Sequence, residues 1–328
     1  MIGAVVIAGR TYQQSKGGLG TSPNTARWDA WHGSVASVPV LGLSTIARMV
    51  ESLRLAGVDE ISVVGENSGF SSGNEKAGIA HRDQEGMWRH AAEEIGKYQV
   101  KGCDAVLVVC IGPYIECNWL SLFEQHREQG EPITRTFDQE GALDLWVVNP
   151  SHVPHDQGLA GFLQGATAAD CQVEGYVNRL HGARDLRRMV TDIFTLKCHA
   201  RPQGFEVRPG VWLGEGAQVA RNARIVAPAF IGCGVKIGED CLITRCSNVE
   251  MNSYVDFGTA IEDSSILGDT YVGIGLDLSH SVVDGGDVLN LQHHVHLRIT
   301  DPVVMRRFAA KARQDSQIVF EERESSLA

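Results

Sequence analysis

Two rhythms of apolar residues divide the chain. From residue 1 to about 200, unbroken apolar runs alternate with segments whose apolar positions recur every three or four residues. GAVVIAG (3–9), EISVVG (60–65), DAVLVVCI (104–111) and LDLWVVNP (143–150) are of the first kind and predict buried strands. STIARMVESLRLAG (44–57, closed by Gly57), GMWRHAAEEIGKY (86–98), WLSLFEQHREQG (119–130) and ARDLRRMVTDIFTLK (183–197) are of the second and predict helices. Buried strands separated by helices imply a mainly parallel sheet covered on both faces. Such sheets hold ligands beyond the carboxyl ends of their strands, here residues 8–35 and 111–116.

The second half repeats with period six. Leu213, Val219, Ile225, Ile231, Ile237, Ile243, Val249, Val255, Ile261 and Leu267 form an uninterrupted aliphatic series. Chance would produce such a series with odds on the order of one in ten thousand. Four residues after each of the first nine members comes a small or modest side chain: Ala217, Ala223, Ala229, Val235, Cys241, Ser247, Ser253, Thr259, Ser265. Each aliphatic residue is expected to point into a common core, with Glu239 and Glu250 facing outward, and the register is expected to break at Gly273. Val226, Phe230, Leu242 and Tyr254 fall at outward slots as one apolar patch. VVDGGDVLNLQHHVHLRI (282–299) offers strands to pair with the last coil, and Thr300-Asp301-Pro302 is the start expected of a short helix, before a loose polar tail.

Composition narrows the picture. With 29 Lys and Arg against 40 Asp and Glu, a net charge of -11 and no basic block, a nucleic-acid surface is not expected. The eight cysteines (103, 110, 117, 171, 198, 233, 241 and 246) form no C-x-x-C pair, so neither disulfides nor a zinc site is expected. The start, MIGAVVIAG, has no basic segment before an apolar run too short for a signal or a membrane span, and a cytoplasmic location is expected.

An α/β half followed by a six-residue repeat resembles the sugar-nucleotide pyrophosphorylases, the sugar-1-phosphate nucleotidylyltransferases with a C-terminal hexapeptide-repeat β-helix. The likeness runs through VPVLGLSTIARMVESLRLAGVDEISVVG (38–65), LWVVNPSHV (145–153) and VEGYVNRLHGARDL (173–186). It implies a nucleotidyltransferase-like, Rossmann-type α/β/α sandwich over 1–200, a left-handed parallel β-helix with capping strands over 205–299, and a helix and tail over 300–328. It also implies a nucleotide or sugar-nucleotide ligand held near Ala8, Gly9, Gly17, Gly18, Gly20, Gly86 and Gly112.

The family's reaction needs groups that this sequence replaces. Its phosphate loop ends in Arg, where GGLGTS (17–22) has Ser22; its Pro-Lys lysine is missing from HGSVAS (32–37). Pro113 and Arg179 stand at the two aspartates that hold magnesium. A cation and a proline cannot bind a metal, and phosphoryl transfer depends on placed charge. The family's sugar-contacting loop is also missing, since ITRTFDQEGALDLWVV (133–148) passes almost directly from strand to strand. No metal or cofactor is therefore expected, magnesium only if the chain is active.

The resemblance thus implies a catalytically degenerate regulatory, ligand-sensing or scaffold subunit in sugar-nucleotide or polysaccharide metabolism, as a homo-oligomer or beside a related active subunit. An active enzyme with a rearranged site would draw on Lys16, the 17–22 loop, Glu116 and Asp185; Glu116 and Asp104 flank the strand that lost its metal ligand. A third possibility is a hexapeptide acyltransferase, but its usual loop insertion is missing from the ten hexads. GGLGTSPNT (17–25) reads either as a relocated phosphate loop or as a surface loop. Trp28 and Trp31, with Arg27 and His32, read as a stacking platform for a base or as packing beneath that loop. Alternation puts His294 and His296 on one strand face and His293 on the other, while His280 stands apart; a half-exposed strand accounts for the first three better than a metal site.

Overall fold

The computed structural model describes residues 1–8, 38–65, 84–110, 113–154 and 158–308. Its first half contains, in order, β1 (Ile2–Ala8), the short pair β2 (Pro39–Val40) and β3 (Leu43–Ser44), α1 (Thr45–Leu55), β4 (Glu60–Gly65), α2 (Gln84–Val100), β5 (Ala105–Cys110) and β6 (Tyr114–Cys117). There follow α3 (Trp119–Gln129), β7 (Ile133–Asp138), β8 (Gly141–Val148), α4 (Leu159–Gly165), β9 (Ala168–Gln172), β10 (Gly175–Asn178) and α5 (Ala183–Phe194).

Six of these strands form one sheet in the order β4-β1-β5-β8-β7-β9. Alternate residues of each strand serve opposite faces. Ala4, Val6, Leu107 and Val109 pack against Met49 and Leu53 of α1 and Phe123 of α3, while Val5, Ile7, Val106 and Val108 meet Trp88 and Ile95 of α2 and Phe162 of α4. The apolar runs lack polar alternation because both faces are covered. β4, β1 and β5 are parallel, but β8 runs antiparallel to both of its neighbours. The physical reason is local. The Asp138 carboxylate accepts the amides of Glu140 and Gly141, and Gly141 takes a φ of 130°, closing a turn too short for a parallel crossover.

From Val211 the chain lays short strands into three ladders. Val211 pairs in parallel with Ala229 and Ala229 with Ser247; Gln218 pairs with Lys236 and that with Tyr254; Arg224 pairs with Leu242 and that with Ala260. Each step is 18 residues, three hexads, the strand arrangement of a parallel β-helix. Ile231, Ile237, Ile243, Val249, Val255 and Ile261 are buried in its core as the period predicts. Three of the small residues that follow them are polar and link successive coils. The hydroxyls of Ser247, Ser253 and Thr259 accept the amides of Ser264, Thr270 and Leu276 in the next coil.

The period slips earlier than expected. Beyond Asn248↔Ser265 and Ala260↔Asp277 the step is 17 residues. Ile266, not Leu267, enters the core, and Ser264, not Ser265, continues the hydroxyl stack to Ser281. The lost residue comes from a corner: Arg245 and Cys246 turn the earlier coil, both with positive φ, whereas Asp263 and then His280 turn the later coils alone, with φ of 43° and 48°. Leu267 faces outward and packs against the first half of the chain.

That packing overturns two further expectations. Phe230 is 1% exposed, buried among Leu41, Tyr114 and Met189, and Leu242 and Tyr254 lie in the two other ladders, so no single apolar patch exists. Glu250 is wholly buried, because the β2–β3 turn covers it.

At the far end lie strands Ser281–Asp284, Asp287–Asn290 and Val295–Arg298, each antiparallel to the next. The helix expected to open at Thr300-Asp301-Pro302 is replaced by one turn, in which Asp301 accepts the amide of Val303, and then by the strand Met305–Arg307 on Thr270–Val272. Met305 is 4% exposed and plugs the core, a contact that a continued helix would give up. The tail beyond residue 308 lies outside the described residues. Among those described, no helix is long and apolar enough to cross a membrane.

Candidate functional site

β1, β4 and β5 end side by side: Ala8 pairs with Gly65, and Ile7 with Cys110. A side chain at position 65 would come within 3.1 Å of the Ala8 Cβ, so Gly65 lets the two strand ends approach closely. This is the edge at which a parallel sheet binds its ligand. The structure brings Ala8 to it. Gly9, Lys16, Gly17, Gly18, Gly20 and Gly112, with Ser22, Arg27, Trp28, Trp31 and His32, lie outside the described residues. Gly86 sits in the first turn of α2, half-buried.

One acidic residue of this edge was not singled out from the sequence. Val109 pairs with Leu145, which sets Asp144 of β8 beside Cys110; Asp144 is 7% exposed. Burial, reinforced by this neighbouring carboxylate, pushes the Cys110 thiol well up, so it stays protonated. The available signal was an acid inside the apolar run LDLWVV.

Glu116 holds the chain rather than a ligand. It accepts the Tyr114 hydroxyl at 2.6 Å, the His199 amide at 2.6 Å and the Ala200 amide at 2.9 Å, with His199 Nδ1 at 3.1 Å. Burial alone would raise its pKa, but the bonds from Tyr114, His199 and Ala200 outweigh it and keep the carboxyl below its ordinary value. Asp104 lies at the opposite end of β5, near the amino terminus and Arg127, and cannot serve the site. Asp185 is in the first turn of α5, where it accepts the His181 amide at 2.9 Å and faces Arg188 at 3.4 Å. Its backbone carbonyl takes a hydrogen bond from Asn178. Glu116 and Asp185 thus serve different elements and do not form a pair.

Arg179, just past β10, pairs with Asp138, and its guanidinium also donates to the carbonyls of Ala142 and Gly141. It clamps the β7–β8 turn. β10 itself lies antiparallel on β6, Tyr176 opposite Glu116 and Asn178 opposite Tyr114, so the Pro113 and Arg179 positions adjoin. Among the described residues no group of three His, Cys, Asp or Glu could hold a metal ion.

A buried polar seam joins this half to the β-helix. Glu250 accepts the amides of Leu41 at 2.7 Å and Gly42 at 2.9 Å and the side-chain amide of Asn248 at 2.7 Å. Arg48 of α1, also buried, donates to the carbonyls of Val40 at 2.6 Å and Arg201 at 2.9 Å, fixing the same turn from its other side. From α5, Arg187 reaches the Cys246 carbonyl, Asn248, Ser265 and Asp263.

The histidines divide. His280 Nδ1 lies 2.6 Å from Asp263. His296, in the last capping strand, meets Asp287 at 3.0 Å. His293 and His294 belong to the preceding turn, His294 with a φ of 56°, and not to the alternating strand expected of them. No family model matches the chain, and neither does any curated protein.

Proposed function

We propose that this chain is a sugar-nucleotide pyrophosphorylase-like protein that binds a nucleotide or sugar nucleotide at the β1–β4–β5 edge without transferring a nucleotidyl group, and serves as a regulatory, sensing or scaffold subunit. The observation that carries the reading is Arg179. A guanidinium bonded to Asp138 and two carbonyls occupies a position where the reaction calls for a carboxylate facing magnesium. Glu116, the substitute that the sequence offered, is saturated by structural donors. The left-handed sense of the β-helix, the cytoplasmic location and association with a second copy or an active relative belong to the same proposal.

The test is direct. Purified full-length protein is offered a nucleoside triphosphate, a sugar-1-phosphate and magnesium, and pyrophosphate release is followed beside nucleotide binding by calorimetry. Binding without release is expected. Asp144 favours a second reading, an active enzyme with a rearranged site, because it supplies a buried carboxylate at the strand edge. Turnover that vanished in Asp144→Asn would establish that reading in place of the first.

A further inference from the structure

α5 winds Arg184, Arg187, Arg188 and Thr191 onto one side, the spacing of successive turns. Across from them stand Asp263 and His280, the two single-residue corners of the shortened coils. Leu291 and Gln292 complete the lining of an open cavity of about 310 Å³, within the size range of small-molecule sites. The register slip is what shapes this wall: with two residues at each corner, as at Arg245-Cys246, the coil would present a different surface to α5.

The charge there is opposite to that of the molecule. Arg187 is neutralised by Asp263 at 2.7 Å and spends its other donors on the β-helix. Arg184 bonds to the Leu291 carbonyl and the His294 ring, neither of them a carboxylate. Arg188 is 46% exposed and meets Asp185, outside the lining, at 3.4 Å. The lining therefore carries three guanidiniums against one carboxylate in a chain of net charge -11. Holding the two halves together accounts for Arg187 and for the bonds of Arg184 to Leu291 and His294 but asks nothing of Arg188, and neither Arg184 nor Arg188 is paired with the carboxylate of the lining. Forked guanidinium donors beside a hydroxyl and an imidazole suit the several oxygens of a phosphoryl group better than a lone carboxylate.

We propose that this groove is a binding site for a small phosphoryl-bearing anion, held by Arg184 and Arg188 with His280 and Thr191 beside them. It stands apart from the strand-edge site and does not depend on the function proposed for it. The experiment is calorimetric titration of the full-length protein with pyrophosphate and, separately, with a hexose monophosphate. Saturable binding of at least one probe is expected, weakened at least about tenfold in Arg188→Glu at an unchanged melting temperature and weakened also in Arg184→Ala. Tighter binding of pyrophosphate would identify a free inorganic anion as the ligand, and the reverse a sugar phosphate. Arg188 is exposed, so Arg188→Glu leaves the fold intact even if Arg184→Ala, by freeing the 291–294 turn, does not. Absence of saturable binding of either probe, or undiminished affinity in folded Arg188→Glu, overturns the proposal.

Discussion

Oε1 of Glu250 accepts the amide hydrogen of Leu41 at 2.7 Å, across 209 positions of sequence. The bond ties a β-helix coil to the turn that leads into α1. Burial pushes the Glu250 carboxyl up to about 7, although the amides of Gly42 and Leu41, Asn248 and the charge of Arg48 all favour its ionised form. The domain seam therefore contains an acid that titrates near neutrality.

Because its folded pKa lies above the unfolded value near 4.5, Glu250 binds its proton more tightly in the folded state. Its contribution to stability is fully present below about pH 4.5 and is lost as the pH rises through about 7. A shift of this size corresponds to about 3 kcal/mol. Urea unfolding of wild type and Glu250→Gln should thus diverge with pH: the wild type loses stability relative to the variant between pH 5 and 8, by roughly that amount. Parallel curves would show that the carboxyl does not titrate there.

The corrected register makes a sharper test of the β-helix than the repeat alone. Ile237→Asp, Ile243→Asp and Ile266→Asp each bury a charge in the core, at a cost of several kcal/mol, roughly 3–5. Glu239→Ala, on the exposed side, should be nearly silent. Leu267→Ala removes a side chain from the seam, at about 2–4 kcal/mol, while leaving the core intact. Thermal melts of these variants decide it, and a silent Ile266→Asp would return the register to Leu267.

These two sites show what the sequence could and could not tell. The hexads were legible because every inward residue meets the same core, so one pattern repeats without regard to long-range contacts. The slip was hidden because Ile266 and Leu267 are both aliphatic and either satisfies the count. Glu250 does point away from the core, as the period implies. A period distinguishes the inside of a coil from its outside, but not water from a second domain lying against that outside. The strand edge was likewise read from β1 and β5, whereas Asp144 went unseen inside an apolar run whose antiparallel course the sequence did not reveal.

Glu116 predicts an acid-side effect of opposite sign. Its folded pKa is depressed, so the stability it contributes is present above the ordinary carboxylate range and is lost as the pH falls through it. Glu116→Gln should flatten the acid limb of the stability curve and loosen the 198–200 segment, whose amides it holds. Hydrogen exchange at His199 and Ala200 reports the loosening; unchanged protection would remove Glu116 from its structural role.

Arg187 and Asp263 offer the last test, because the pair is both a domain clamp and one wall of the groove. Burial lowers the Arg187 pKa and its bond to Asp263 raises it; the net shift is downward, which places the guanidinium where desolvation is the larger cost. Breaking such a pair from one side leaves a buried charge unpaired. Asp263→Asn removes the counter-charge of the buried guanidinium and leaves one acceptor oxygen where two had met Arg187 and His280, whereas Arg187→Met leaves Asp263, which is 40% exposed, still beside His280 and takes one donor from Asn248 and Ser265. The first should cost about 3–5 kcal/mol and the second less. A double-mutant cycle should show coupling of about 1–3 kcal/mol, since the residues touch and share a network. Coupling near zero would mean that the α5 seam rests on its apolar contacts, Met189 and Val190 against Leu267 and Val282, and that the ion pair adds nothing.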